Sequence, residues 1–130
     1  MTGPAKVNRP LSPHLMIYKP QMTSVLSILH RITGIGLVIG LMLVIIWFSA
    51  LSSGAEYFAM IDTLYKSLIV RLLLAGSVWA LWYHTFTGVR HLIWDFGYGL
   101  NPKWINPSAY MVLIGSLFFT MGTFFLGWIV

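Results

Sequence analysis

Three long stretches of the chain run without a charged residue, at positions 32–55, 72–89 and 104–130. Each reaches or exceeds the ~18 residues that mark a membrane-span candidate, and ~20 helical residues cross a ~30 Å hydrocarbon core. Allowing for polar ends, the pattern predicts helices over 24–51, 64–94 and 107–130. A helix closes its backbone hydrogen bonds internally, which is what admits a backbone to lipid. Residues 1–23 read differently. Pro4, Pro10, Pro13 and Pro20 forbid a continuous helix there, and Lys6, Arg9 and Lys19 make the segment basic. No short apolar core with a small-residue cleavage site follows that basic start, so the segment is expected to be a cytoplasmic arm, ordered or partner-bound, rather than a signal peptide. The stretch 52–63, with Glu56 and Asp62, is expected to be a loop on the opposite face. The expected fold class is an all-α integral membrane protein with three transmembrane helices.

Composition agrees with lipid as the main solvent. Of 130 residues, 58% are hydrophobic and only 8% charged, with a mean hydropathy of +0.81. A water-soluble domain carries about 25% charged residues to solvate its surface. The length suits one packing unit, and no repeat or low-complexity tract divides it. The formal charge of +5 raises nucleic acid as a partner, but the basic residues are scattered and no zinc-type spacing accompanies them, so no nucleic acid is expected. The charge instead sets direction. Lys6, Arg9, Lys19, Arg31, Arg90 and Lys103 fall at or near one face, while Lys66 and Arg71 fall at the other. The positive-inside rule puts the N-terminus and the loop between the second and third helices in the cytoplasm, and the C-terminus outside. With Met1 at the start and a short arm, a bacterial inner membrane is expected before a mitochondrial one. Without cysteine the chain has no disulfide, thiolate ligand or iron–sulfur cluster of its own, so any metal must sit on histidine or come with a partner.

The first two predicted spans hold polar groups at helical spacing. Ser27, His30, Arg31 and Gly34 stand at i, i+3, i+4 and i+7, on one face near the cytoplasmic end. An arginine at a helix centre costs ~2.5–3.5 kcal/mol on insertion scales, although one near an end can snorkel to the head groups. His84, Gly88 and His91 follow at i, i+4 and i+7 on the second span, with Gly76 and Ser77 keeping the same side small. A glycine between two histidines leaves a flat notch where a planar group can lie against the backbone. Gly36 and Gly40 form a small-xxx-small pair, read as ordinary membrane packing.

Depth separates the histidines. His84 and His91 differ in height by ~10 Å at 1.5 Å per residue, so they cannot ligate one iron together. Setting Ser24 beside Asp95 places His91 and His30 at similar depth with Arg31 just below, and His84 deeper, near Ile35. The expectation is two layers. The deeper one offers a lone imidazole suited to axial ligation of haem iron. The shallower one offers Arg31, His30 and His91, suited to haem propionates or to a quinone carbonyl. No second histidine of this chain is expected at the depth of His84, so a bis-histidine haem needs a ligand from another polypeptide.

The run from Arg9 to Tyr18, RPLSPHLMIY, and that from Ser27 to Gly34, SILHRITG, resemble the first signature of the cytochrome b556 subunits of succinate dehydrogenase. The stretch from His84 to Asp95, HTFTGVRHLIWD, resembles their second signature. The likeness extends over essentially the whole chain. It implies one half of a six-helix heterodimeric anchor bundle in respiratory complex II, paired with a second small three-helix subunit. The other implied partners are a flavoprotein subunit, an iron–sulfur subunit and membrane lipid. It also implies haem b shared with the partner anchor, ubiquinone as substrate, and FAD and iron–sulfur clusters on partner chains only. By the same resemblance His84 is the axial haem ligand, Ser27 and Arg31 belong to the quinone site, and His30, Arg31 and His91 lie at the haem edge. No residue of this chain is expected to carry out succinate oxidation itself. Two roles are open to Asp95, a proton relay from the cytoplasm or an ion pair with Arg90 or Arg31. Competing readings are a purely structural anchor and the equivalent subunit of a fumarate reductase. A transporter is disfavoured, since there is no inverted repeat and no span broken by paired Gly/Pro interruptions.

Overall fold

The structure is a computed structural model and describes residues 19–129. Most of the expected N-terminal arm, residues 1–18, lies outside the described residues, as does Val130. Four helices follow in order: α1 (Met22–Ser52), α2 (Ala55–Tyr65), α3 (Leu68–Asp95) and α4 (Pro102–Ile129). Three of them, α1, α3 and α4, are long and apolar enough to cross a membrane.

Helix α1 starts just after Pro20, with Gln21 still extended as its N-cap. It ends at Ser53 and Gly54, whose φ of +110° is a conformation that glycine reaches without a Cβ penalty. The segment expected as an outer loop is largely helix α2. Its eleven residues are too few to span a bilayer, and they carry Glu56 in the first turn, where the helix dipole favours an acid. Asp62 pairs with Lys66 one turn on, at 2.6 Å. On its other side Ile61 is buried, Phe58 meets Trp47 edge-on, and the Tyr65 hydroxyl donates to the Leu43 carbonyl at 2.6 Å. Amphipathicity over a short span makes this a helix folded back on the end of α1.

The second span therefore begins at Leu68 rather than at 64. Ser67 is its N-cap and accepts from the Val70 backbone N–H at 3.5 Å. A serine directly before an apolar run is a start signal, and here it marks the start four residues after the expected one. The third span begins at Pro102 rather than at 107. The Asn101 side chain accepts from the Lys103 N–H at 3.0 Å, and Pro102 takes the first helical position, where a missing N–H is harmless. Pro107 then sits inside the helix. Between α3 and α4 the chain turns through Gly97 and Gly99, both at positive φ, and the Gly97 N–H returns to the Trp94 carbonyl at 2.8 Å.

Helix α3 packs between α1 and α4, while α1 and α4 touch more lightly. The buried core is small: Leu26, Tyr83, Ala109 and Val112, surrounded by Met22, Leu29, Trp79, Phe86 and Leu113. Tyr83 is fully buried and its hydroxyl donates to the Leu26 carbonyl at 3.1 Å, which ties α3 to α1. Most large apolar side chains point outward, as a lipid solvent requires. Of the small pair on α1, Gly40 is the one that makes the close helix contact, facing Ser77 of α3. A Cβ on Gly36 meets nothing within 4 Å. Successive i, i+4 positions drift ~40° round the helix, enough to carry Gly36 off the seam.

Candidate functional site

The two predicted polar faces meet across the α1–α3 seam. Helices α1 and α3 set Gly40 against Ser77, Gly34 against His84 and His30 against Thr87. One number falls as the other rises, so the helices run antiparallel. This register lies within about two residues of the alignment of Ser24 with Asp95. With no side chain on Gly34, the His84 ring lies back over α1. An ideal Cβ there comes 3.2 Å from His84 Cε1.

The histidines are closer together than two separate layers allow. The rings of His30 and His84 stack, with centroids 3.8 Å apart and planes 14° from parallel. The His91 ring meets His30 edge-on at 5.5 Å, and also meets Trp94 edge-on at 5.5 Å. His30 therefore bridges the two depths rather than sharing only that of His91. The reason is register: His30 faces Thr87, which lies between His84 and His91 on α3.

Hydrogen bonds fix the state of His84. Its Nδ1 lies 3.0 Å from the His30 carbonyl oxygen, which can only accept. Nδ1 therefore carries the hydrogen, and the lone pair is on Nε2. The Thr33 hydroxyl donates to the same carbonyl at 2.9 Å, so two donors share one acceptor, and the 3.3 Å between Thr33 Oγ1 and His84 Nδ1 follows from that sharing. Such a carbonyl-held Nδ1–H is the outer partner that orients a metal-ligating imidazole. His84 is half-buried and its Nε2 has no hydrogen-bond partner among the described residues.

His30 is held in the same way by a hydroxyl. Its Nδ1 lies 2.5 Å from Thr87 Oγ1. Thr87 is itself buried and donates back to the Tyr83 carbonyl at 2.8 Å, with the His84 carbonyl at 3.0 Å. A threonine has one hydroxyl hydrogen, so Thr87 accepts from His30 Nδ1–H. Little in the sequence marks Thr33 and Thr87. Each stands three residues beyond a histidine of its own helix and bonds that residue's carbonyl. Its hydroxyl, however, meets the ring of the histidine on the other helix, Thr33 that of His84 and Thr87 that of His30.

At Gly88 the expected notch is open: a Cβ there meets nothing within 4 Å. Ser27 is half-buried and Arg31 exposed, on the open side of the same face. The residues fit a haem held by a single imidazole of this chain, with His84 Nε2 open and an unobstructed glycine one turn away. Among the described residues no group of three or more His, Cys, Asp or Glu side chains is arranged to hold a metal ion.

Arg90 departs most from expectation. It is one of the two arginines open to pairing with Asp95 near the cytoplasmic edge, but it is only 6% exposed and points to α4. Its Nε donates to Ser108 Oγ and its Nη2 to the Ile105 carbonyl, both at 2.9 Å, and the guanidinium lies 4.0 Å over the Trp94 ring. Asp95 is exposed and pairs with neither Arg90 nor Arg31; among the described residues the ion pair formed is Lys66 with Asp62. Five residues turn a helix by ~140°, so Arg90 and Asp95 leave α3 on different faces.

Comparison with known proteins identifies the family. Residues 5–123 match the family model described as succinate dehydrogenase/fumarate reductase transmembrane subunit. The chain is 42% identical over 110 residues to the succinate dehydrogenase cytochrome b556 subunit of Paracoccus denitrificans, covering 85% of each chain. It is 37% identical over 113 residues to that of Rickettsia conorii, covering 87% of this chain and 88% of the relative. The cytochrome b560 subunit of Marchantia polymorpha is 38% identical over 121 residues, covering 89% of this chain and 88% of the relative. A three-span helical chain with a histidine array across its first two spans, matched over most of its length, belongs to the family of succinate dehydrogenase/fumarate reductase transmembrane subunits.

Proposed function

We propose that this chain is the haem-bearing anchor subunit of a succinate dehydrogenase and contributes one wall of its ubiquinone-reduction site. The observation that carries the reading is the His84 Nδ1–H held on the His30 carbonyl, which leaves the Nε2 lone pair free and would let His84 hold haem iron. A haem b held there would supply one-electron redox chemistry. A second ligand would come from a partner anchor subunit, since the His30 ring stacks face-on against His84 and lies beside that imidazole rather than across from it. His30, Arg31 and His91 line the haem edge on the cytoplasmic side.

Ser27 and Arg31 serve the quinone. As electrons arrive from succinate through the flavin and iron–sulfur clusters of partner chains, negative charge develops on the quinone carbonyl oxygens. Ser27 donates a hydrogen bond to that charge, and Arg31 offers fixed positive charge without giving up its own proton. Exposed Asp95, unpaired with either arginine, stands at the end of α3 as the proton relay. The excess of Lys and Arg at that end supports an N-terminus on the cytoplasmic or matrix side of the membrane. Partners are the second three-helix anchor, the iron–sulfur subunit and the flavoprotein.

The test uses the purified complex. His84→Tyr is expected to abolish or distort the b-type haem absorbance, whereas His91→Tyr leaves iron ligation intact. Ser27→Ala and Arg31→Ala are each expected to lower quinone reductase activity by roughly 10²-fold with haem retained, the scale of losing one donor to a developing oxyanion. Normal haem in His84→Tyr together with unchanged activity in both other variants would leave a purely structural anchor. Turnover that favours fumarate reduction with a low-potential quinone would instead assign the other branch of the family.

A further inference from the structure

On the side of α3 away from the histidines, α3 and α4 enclose a cleft of about 300 Å³. That is at the lower end of the ~300–1,000 Å³ range of ligand pockets. Its walls are apolar, from Phe86, Ile93, Trp104 and Met111, and its polar lining comes from Arg90 and Ser108. Phe86 and Ile93 lie about half a turn round α3 from His84 and His91, so the cleft is separate from the haem face. Arg90 lies five residues from the end of α3, which is ~7 Å along the axis, near the depth where acyl chains give way to head groups. Trp94 and Trp104, which flank it, are residues typical of that interface.

Arg90 is a buried cation without an anion. A guanidinium has five N–H donors, and two of Arg90's are committed to Ser108 and Ile105. The chain's only acids are Glu56, Asp62 and Asp95. Glu56 and Asp62 are on α2, beyond the far end of α3, and Asp95 does not pair with Arg90. Among the described residues no carboxylate pairs with Arg90, and the sequence of residues 1–18 contains no Asp or Glu. A charge removed from water at this depth needs a counter-ion from outside.

We propose that this cleft binds an anionic phospholipid, with an acyl chain along the apolar walls and its phosphate on the free edge of the Arg90 guanidinium. The planar fork of arginine matches a phosphate in two-point contact, and basic pockets near the membrane surface favour anionic head groups. The tether to α4 and the Trp94 ring hold the guanidinium in place before the lipid arrives. The site is independent of haem and quinone.

The complex is reconstituted into nanodiscs of phosphatidylcholine with a minority of phosphatidylglycerol, then extracted, and the lipid that remains bound is measured by native mass spectrometry. The wild type is expected to retain phosphatidylglycerol over phosphatidylcholine. Arg90→Gln should lower that preference by roughly tenfold or more, as expected for loss of a charge-assisted hydrogen bond. Because that variant also loosens α4, Met111→Trp fills the cleft without touching the Arg90 hydrogen bonds, and it should lose the retained lipid while the complex stays assembled. Equal retention of the two lipids by the wild type overturns the proposal. So does undiminished phosphatidylglycerol in Met111→Trp, a result that assigns the role of counter-ion to a partner subunit's carboxylate.

Discussion

Replacing Gly34 by alanine puts a methyl group where the His84 ring now lies. The new Cβ would be 3.2 Å from Cε1 and 3.7 Å from Nδ1. Carbon atoms rest comfortably at about 3.5–4.0 Å, so the ring must back away by roughly 0.3–0.5 Å. Its Nδ1 bond to the His30 carbonyl, now 3.0 Å, is then carried to or past the ~3.2 Å limit of a good N–H···O bond. Alanine returns about 1 kcal/mol of helix propensity, and overpacking costs about 1–3 kcal/mol, so the net loss is about 0–2 kcal/mol. The same change at Gly36 meets nothing within 4 Å and leaves only the favourable term. At Gly40 the added Cβ falls 2.7 Å from Ser77 Cβ and 2.6 Å from Ser77 Oγ. The hydroxyl can rotate away, but Ser77 Cβ is fixed to the backbone, so α1 and α3 must part. Heating each purified variant complex while following helicity and haem absorbance should rank Gly36→Ala most stable, then wild type, Gly34→Ala and Gly40→Ala. Gly34→Ala alone should alter the haem spectrum at temperatures where the fold is intact. If Gly34→Ala and Gly36→Ala melt together and share one haem spectrum, the register that sets Gly34 against His84 is wrong.

Thr33→Val removes one of the two donors on the His30 carbonyl and leaves that acceptor wholly to His84. A stronger bond makes the imidazole a better electron donor, so potentiometric titration should find the haem midpoint potential lower, by about 20–40 mV for ~0.5–1 kcal/mol; an unchanged or higher value counts against the shared-carbonyl arrangement. Tyr83→Phe deletes the buried bond to the Leu26 carbonyl and should cost about 1–3 kcal/mol in thermal unfolding while leaving the haem spectrum unchanged, which separates the α1–α3 clasp from the haem site.

The parts that the sequence made readable are those fixed by periodicity. Charge-free length located the spans, and i, i+3, i+4, i+7 spacing gathered Ser27, His30, Arg31 and Gly34, then His84, Gly88 and His91. Simple end-to-end alignment even came within about two residues of the α1–α3 register. What escaped depends on direction round a helix and on neighbours from another helix. Thr33 and Thr87 look like ordinary span residues, because a threonine in a helix commonly bonds a carbonyl of the preceding turn and is then silent. Both do this here, and each also takes part in holding a histidine. Arg90, two residues past Gly88 in a histidine-rich run, invites assignment to the same face. Two residues rotate the helix by ~200°, however, which turns it to α4 and Ser108. Helix α2 was missed for a different reason: at eleven residues with two acids it has no membrane-span signal, and its stability comes from Ile61 and Tyr65 docking on their neighbours.

The exposure of the site says how it is completed. On α1 the side that carries Arg31 also presents Ile28, Ile32 and Ile35, each more than half exposed. Apolar residues alone could face lipid there. Arg31 among them, with half-buried Ser27, His30 and His84 beside it, could not do so without a cost of several kcal/mol. A histidine whose Nδ1 is committed to a carbonyl while Nε2 stays open carries the same cost if lipid is its neighbour. The charge and the open nitrogen are supported only if that face meets something polar that the described residues do not supply, and the haem, quinone and partner anchor proposed above would meet that requirement. The opposite side of α3 has its own unanswered cation in Arg90, but there the surrounding walls are apolar and suit an acyl chain. One helix thus divides the two demands, with His84 turned to the α1 seam, where the proposed haem would bind, and Arg90 turned to α4 and the proposed lipid cleft.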